Sequence, residues 1–341
     1  MRDLESINEF NKGVELYKNK EYNNAINIFS KYINQWGTQV LEGRDAIYYR
    51  GISFLNLSNF GNAILDFDKL IESGKIKSDF PNRYGGYKHN VYRLYLIFYT
   101  RGLCYSNNEP KKALKDFTES IKLNKNYSNS YFERGKIYLT NKLYEEAIND
   151  FTRAIKINPN DSIYYEERAN CYSSMDKYNE ALKDITKVIE LVPKVSNFHY
   201  ERGIYNLVLN NFDKALDDFS NAIKIYPNDK DSYYYRGYSY NNLGNKMAVM
   251  NDFTKSLDFD PEYSEAYFER GLLKINLGDK RGGLRDLDEV IKLNPGNKEA
   301  YFNRGLLRLH FKDKNGACDD WSRAGELGHF GAYEKINEFC D

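Results

Sequence analysis

Two apolar patterns alternate along this chain, each with the spacing of a helix. In SYFERGKIYLTNKLYEEAINDFTRAIKINP, from Ser130, a first apolar run is broken by the polar turn TNKLY and resumes at Ala147, Phe151 and Ala154. Steps of three and four place those last residues on one helix face. FHYERGIYNLVLNNFDKALDDFSNAIKIYP, from Phe198, repeats the arrangement with Ala215, Phe219 and Ala222, and AYFERGLLKINLGDKRGGLRDLDEVIKLNP, from Ala266, repeats it again. Each block starts 68 residues after the last, and blocks from Tyr164 and Ser232 fall midway. A small residue therefore recurs every 34 positions, as Gly135, Ala169, Gly203, Gly237, Gly271 and Gly305. Prolines at 159, 193, 227, 261 and 295 close the units, because proline lacks an N–H and disfavours helix in the residue before it. The pattern predicts tandem helix pairs, each too small to bury its own apolar face and therefore stacked on its neighbours.

The recurring order of aromatic, Leu-like, Gly, Tyr, Ala, Phe, Ala and Pro resembles the tetratricopeptide repeat family. The match is close from 128 to about 327. More divergent units precede it at 6–36 (Gly13, Ala25, Phe29), 44–74 (Gly51, Ala63, Phe67) and 95–127 (Gly102, Ala113, Phe117). The last pair, with Ala317, Trp321, Ala324, Gly328 and Ala332, leans toward the related Sel1-like pattern. The resemblance implies an all-α fold, a right-handed superhelical α-solenoid of about nine antiparallel helix pairs plus a C-terminal capping helix. The expected organisation is two divergent repeats in 1–74, a basic Tyr-rich insertion in 75–94, seven tandem repeats in 95–331, and the cap in 332–341. The insertion, KIKSDFPNRYGGYKHNVYRL, breaks the period, as does a shorter stretch at 37–43. A long irregular loop inside a repeat array is often functional; this one suits covering a groove or binding an anionic partner, or is simply a tolerated insertion.

A second regularity lies beyond that pattern. Arg50 and Asp66, Arg134 and Asp150, Arg168 and Asp184, Arg202 and Asp218, Arg236 and Asp252, Arg270 and Asp286, and Arg304 and Asp320 are each 16 apart. Arg101 and Asp116 are 15 apart, across a turn one residue shorter. Each Arg precedes the small residue of a first helix, and each Asp precedes the Phe-like position of the second. A bidentate pair between antiparallel helices fits that spacing. An internal charge relay or anion site is the functional reading; a structural salt bridge that holds helix register is the plainer and preferred one.

The resemblance also implies that first helices line the concave face. The positions it places there are Tyr48, Phe132, Tyr200, Tyr234, Phe268 and Phe302 in one stripe. Beside them run Tyr49, Glu133, Glu167, Glu201, Tyr235, Glu269 and Asn303. Asp45, Asp231, Glu265 and Glu299 lie one turn earlier, and Lys136 is one of few cations nearby. Such a surface, aromatic with an acidic bias, suits a peptide or protein segment that is basic or carries aromatic or apolar anchors. The same aromatics would equally serve to pack one repeat on the next. The family's carboxylate clamp of Lys, Asn and Arg has no counterpart at these positions.

Composition narrows the function classes. Lys and Arg number 49, Asp and Glu 49, so the formal net charge is zero, which removes the broad attraction that nucleic-acid and anionic-membrane binders use. No apolar run is long enough to span a membrane. MRDLESINEF lacks the apolar stretch of a secretory leader, and four cysteines, Cys104, Cys171, Cys318 and Cys340, are too few for a disulfide scaffold. A cytoplasmic, reducing location is expected. Cys104 and Cys171 share one repeat slot, which packing explains. Cys318 and Cys340 are placed to meet between the last pair and the cap, with packed, reduced thiols as the default. His89, His199, His310 and His329 sit in different units; His199 takes an aromatic core slot, and none forms a metal or nucleophile motif. No metal, no cofactor and no enzyme activity are expected. The leading expectation is a scaffold or adaptor for protein segments. The alternatives are a helical-repeat RNA binder, whose tyrosines would stack on bases, and a self-associating structural protein.

Overall fold

The computed structural model describes residues 2–36, 41–72 and 94–340. The insertion expected at 75–94 lies outside the described residues save Leu94, and so does the 37–40 part of the shorter break. All elements among the described residues are α-helices, in two compact units.

The first unit, residues 1–177, pairs α1 (Arg2–Lys18) with α2 (Tyr22–Trp36), α3 (Leu41–Asn56) with α4 (Phe60–Glu72), α5 (Leu94–Tyr105) with α6 (Pro110–Leu123) and α7 (Ser128–Thr140) with α8 (Tyr144–Ile157), and ends in α9 (Ser162–Ser174). The second, residues 178–341, begins with α10 (Tyr178–Leu191) and pairs α11 (Ser196–Val208) with α12 (Phe212–Ile225), α13 (Lys230–Asn242) with α14 (Lys246–Phe259), α15 (Ser264–Asn276) with α16 (Lys280–Leu293) and α17 (Lys298–His310) with α18 (Lys314–Glu326). The cap α19 (Phe330–Phe339) closes it, starting two residues before the expected 332. Inside each unit every helix packs on the one before and the one after, the sequential stacking that the 34-residue period requires.

The core is built from the second helices. Phe29, Phe67, Phe117, Phe151, Phe219 and Phe253 are almost wholly buried. Each ring lies directly on the small residue of its own first helix: a Cβ built on Gly203 would sit 2.7 Å from Phe219 Cε1. Glycine in that slot is thus a matter of contact distance, which lets a full aromatic ring fill the gap between helices. The turn that follows most first helices reverses through one left-handed residue, at Lys20 and Ser58 and then, every 34 positions, at Lys142, Asp176, Asn210, Gly244, Gly278 and Lys312. Only two of these are glycine, so the others hold a conformation that costs roughly 1–2 kcal/mol for a residue with a Cβ. In the second unit Asp229, Asn245, Asp279, Asn297 and Asp313 accept backbone N–H bonds at helix starts, while α7, α8, α11 and α12 lack a side-chain cap.

One expectation is corrected. Cys318 and Cys340 are joined by a disulfide, with Cα atoms 5.7 Å apart, rather than packed as free thiols. The short turn after α18 folds α19 back so that Ala332 and Phe339 cover Trp321, which carries Cys340 onto α18. Cys104 and Cys171 are free and buried, and burial pushes each thiol up to about 12, which leaves them unreactive.

Candidate functional site

The first helices carry the expected stripes. In the first unit, α3 holds Tyr48 and Tyr49, α7 holds Phe132 and Glu133, and α9 holds Glu167. In the second, α11 holds Tyr200 and Glu201, α13 Tyr234 and Tyr235, α15 Phe268 and Glu269, and α17 Phe302 and Asn303. All thirteen side chains are half-buried, because each ring is shared between a surface and a repeat junction. Phe132 meets Phe151 at 5.8 Å and Tyr164 of the next helix pair at 5.1 Å. Tyr200 meets Phe219 and Tyr235, Tyr234 meets Phe253 and Tyr263, and Phe302 stacks on His329 at 4.0 Å. These rings thus brace one repeat on the next as well as facing outward.

Charge on this face is concentrated in the second unit. Burial raises the phenols of Tyr200, Tyr234 and Tyr263; Asp231 adds to it at Tyr263, and Glu269 adds to it at Tyr234. Burial likewise raises the Glu269 carboxyl above its ordinary range. Glu269 lines a cleft of about 130 Å³ with Asn241 and Asn276, and no cation pairs with it among the described residues. Desolvating a carboxylate without a counter-charge is costly, so this group gains from any ammonium or guanidinium brought to it. The chain shows that chemistry internally: Lys136 lies 5.0 Å from the Phe132 ring centre while pairing with Glu133 at 2.8 Å, and Lys230 lies over Tyr263 while pairing with Asp260. Asn303 instead turns its amide to the carbonyl of Glu299, and Asn197 donates to Glu201.

The Arg–Asp ladder is present as side-chain pairs. Arg50, Arg101, Arg134, Arg236, Arg270 and Arg304 each donate Nε–H to one oxygen of Asp66, Asp116, Asp150, Asp252, Asp286 and Asp320 and Nη2–H to the other, at 2.6–2.9 Å. Arg202 reaches Asp218 differently, with both N–H groups on one oxygen. Arg168 belongs to the first unit and Asp184 to the second. Burial would lower Arg101 and Arg304, but hydrogen bonds to their aspartates more than offset it and raise them.

Sequence reasoning missed a third arm. Nη1 of Arg134, Arg168, Arg236 and Arg270 donates to Thr118, Thr152, Ser220 and Thr254, sixteen residues earlier, in the preceding second helix. Arg304 uses Asp288 and Arg101 uses Asp68 in the same way. The signal was available: two residues after each ladder Asp stands Ser, Thr or Asp, as Asp150 with Thr152 or Asp218 with Ser220. The guanidinium groups of Arg101, Arg134, Arg168, Arg236, Arg270 and Arg304 also face the aromatic ring one turn before them, as Arg236 faces Tyr233 at 5.3 Å. The ladder therefore ties together two helices of one repeat and the second helix of the repeat before it.

Among the described residues no group of three or more His, Cys, Asp or Glu side chains could hold a metal ion, and no helix is long and apolar enough to cross a membrane.

Four family models, each described as tetratricopeptide repeat, match residues 128–161, 151–183, 196–229 and 268–324. No curated protein matches the chain in sequence. Of the similar solved structures, the C-terminal part of a TPR repeat-containing protein from Cytophaga hutchinsonii superposes with a TM-score of 0.61 at 17% identity, covering 75% of this chain and 97% of that one. PilF of Pseudomonas aeruginosa gives 0.52 at 16% identity over 62% of this chain and 97% of its own. A tetratricopeptide repeat protein from Parabacteroides merdae gives 0.50 at 19% identity over 72% and 96%. At these identities the likeness is one of fold.

Proposed function

This chain is built of tetratricopeptide repeats, and from that premise we propose that it is a non-catalytic adaptor whose second unit holds a basic protein segment along α11, α13, α15 and α17. Repeats of this kind support a protein-interaction scaffold in general. The observation that carries the finer reading is Glu269, a half-buried carboxylate with no paired cation among the described residues, flanked by Tyr234 and by an open cleft. A Lys or Arg of the bound segment would pair with Glu269 and lie over a stripe aromatic, as Lys136 does over Phe132. The neutral net charge weighs against the RNA-binding alternative. The Cys318–Cys340 bond speaks for an oxidising compartment over the reducing, cytoplasmic one expected from cysteine density.

The test is selection from a displayed peptide library by the wild-type chain and by a Glu201→Lys/Glu269→Lys variant of unchanged helicity. Enrichment of Lys- or Arg-containing peptides with an aromatic neighbour, lost in the variant, is expected. Equal enrichment by both proteins would move the binding surface elsewhere. Saturable binding of single-stranded RNA with no peptide selection would favour the RNA reading.

A further inference from the structure

One repeat departs from the ladder geometry. In six repeats the guanidinium spans both carboxylate oxygens. In the α11–α12 repeat Asn206 intervenes: its side chain is buried, and its amide donates to Asp218 Oδ2 at 2.9 Å. Arg202 then places both Nε–H and Nη2–H on Oδ1, at 2.8 and 2.6 Å. The equivalent positions carry Tyr138, Tyr172, Tyr240, Lys274 and Arg308. Lys274 and Arg308 also reach their ladder aspartates, yet Arg270 and Arg304 keep both oxygens. The displacement belongs to the buried amide of Asn206.

Its consequence is a donor left over. Elsewhere Nη1 bonds to a Ser, Thr or Asp of the preceding second helix, sixteen residues earlier for Arg134, Arg168, Arg236, Arg270 and Arg304, and at Ser30 and Asp68 for Arg50 and Arg101. The residue at that position here is Thr186, yet neither Arg202 Nη1 nor the Thr186 hydroxyl has a hydrogen-bond partner among the described residues. The Arg202 side chain is 24% exposed, against 13–18% for Arg50, Arg101, Arg134, Arg236, Arg270 and Arg304. Beside them opens a cleft of about 630 Å³ walled by α10, α11 and α12, whose lining includes Arg202, Thr186, Lys183 and Lys214. Neither lysine has an ion-pair partner among the described residues. Asp217 also lines the cleft, and Asp218 is already neutralised by Arg202, so two ammonium groups and a guanidinium N–H face one free carboxylate.

We propose that this cleft is a binding site for a small oxyanion, a phosphate or carboxylate group, seated on Arg202 Nη1–H and the Thr186 hydroxyl and neutralised by Lys183 and Lys214. A planar guanidinium, a hydroxyl and two ammonium groups converging on one volume match an anion with several acceptor oxygens. Asp218 fixes the Arg202 side chain, so little conformational freedom is lost on binding. The site is independent of the aromatic stripe and does not depend on the adaptor reading.

Thermal unfolding of the full chain, titrated with inorganic phosphate and separately with acetate against chloride at equal ionic strength, tests this. Saturable stabilisation with a dissociation constant on the order of 1 mM is expected for a small ion. Thr186→Val, close to isosteric, and Lys183→Ala, on the surface, should each weaken binding at least about fivefold, with helicity unchanged. Lys292→Ala, an exposed lysine paired with Glu289, should leave it unchanged. Response to both anions assigns a general oxyanion site; response to phosphate alone assigns a phosphate site. No saturable effect from either anion, equal weakening by Lys292→Ala, or undiminished binding in Thr186→Val and Lys183→Ala would overturn the proposal.

Discussion

Filling the slot under a core ring tests the packing logic on which every repeat rests. A Cβ on Gly135 would stand 2.7 Å from Phe151 Cε1 and 3.1 Å from both Cδ1 and Cζ, whereas carbon atoms pack comfortably at about 3.5–4.0 Å. The ring must therefore retreat by roughly 1 Å, and Phe151 is fully buried with Phe132 against it. Overpacking of this kind costs about 1–3 kcal/mol, and replacing a helical glycine by alanine returns about 1 kcal/mol. With nowhere open for the ring to go, Gly135→Ala should lose about 1–2 kcal/mol net.

The chain itself suggests the rescue: where alanine fills the slot, at Ala169, the residue sixteen positions on is Ile185 rather than Phe. Phe151→Ile alone removes buried carbon and leaves a cavity, at about 2–3 kcal/mol. In Gly135→Ala/Phe151→Ile the new methyl occupies part of that cavity, so the pair should cost at least about 1 kcal/mol less than the two singles summed. Urea unfolding followed by helical ellipticity, with one slope common to all four proteins, measures the cycle. Additivity within about 0.3 kcal/mol would show that Gly135 and Phe151 do not share one volume, and the stacking argument would fail with it.

Asp218→Ala strands a guanidinium that is three-quarters buried and should cost about 2–4 kcal/mol, more than Arg202→Ala/Asp218→Ala together; a strictly additive denaturation cycle would contradict this. Glu269 has a raised carboxyl, and a bound cation would lower it, so binding releases a proton. Affinity for a Lys-containing peptide should accordingly be full above the raised value and fall as pH drops through it, and a flat pH profile that Glu269→Gln leaves unchanged would remove Glu269 from the site. Lys312→Gly relieves a left-handed turn residue and should stabilise by about 0.5–1 kcal/mol, read as a higher melting temperature. Reducing the Cys318–Cys340 bridge, which spans 22 residues, should cost up to about 3 kcal/mol, with hydrogen exchange accelerating in α19 while α11 and α12 stay protected.

Much of the fold was legible because its period is set by contact distance. A ring over a glycine works only if both recur in phase, so Gly135 with Phe151 and Gly203 with Phe219 announced the helix pairs directly. The ladder was legible for the same reason: a residue beside the slot and one beside the ring are brought face to face by the same turn. Its third arm was hidden, although Thr118, Thr152 and Thr254 stand at a fixed spacing, because those hydroxyls reach across to a different repeat. The stripe positions were also readable, but their double use was not. Whether Phe132 or Tyr200 faces a ligand or braces the next repeat depends on neighbours that its own repeat does not contain.

Spacing along the chain thus determined the elements, their order and their internal register, since these follow from helix geometry and from which side chains can lie on a glycine. Three things were decided only in three dimensions. Cys318 and Cys340 became a bond because α19 folds back over Trp321; Glu269 was left without a paired cation among the described residues because none of their helices supplies one; and Arg202 was turned aside because one buried amide, Asn206, takes an oxygen that other repeats leave to arginine. Each depends on distances between residues far apart in sequence, which periodicity does not encode.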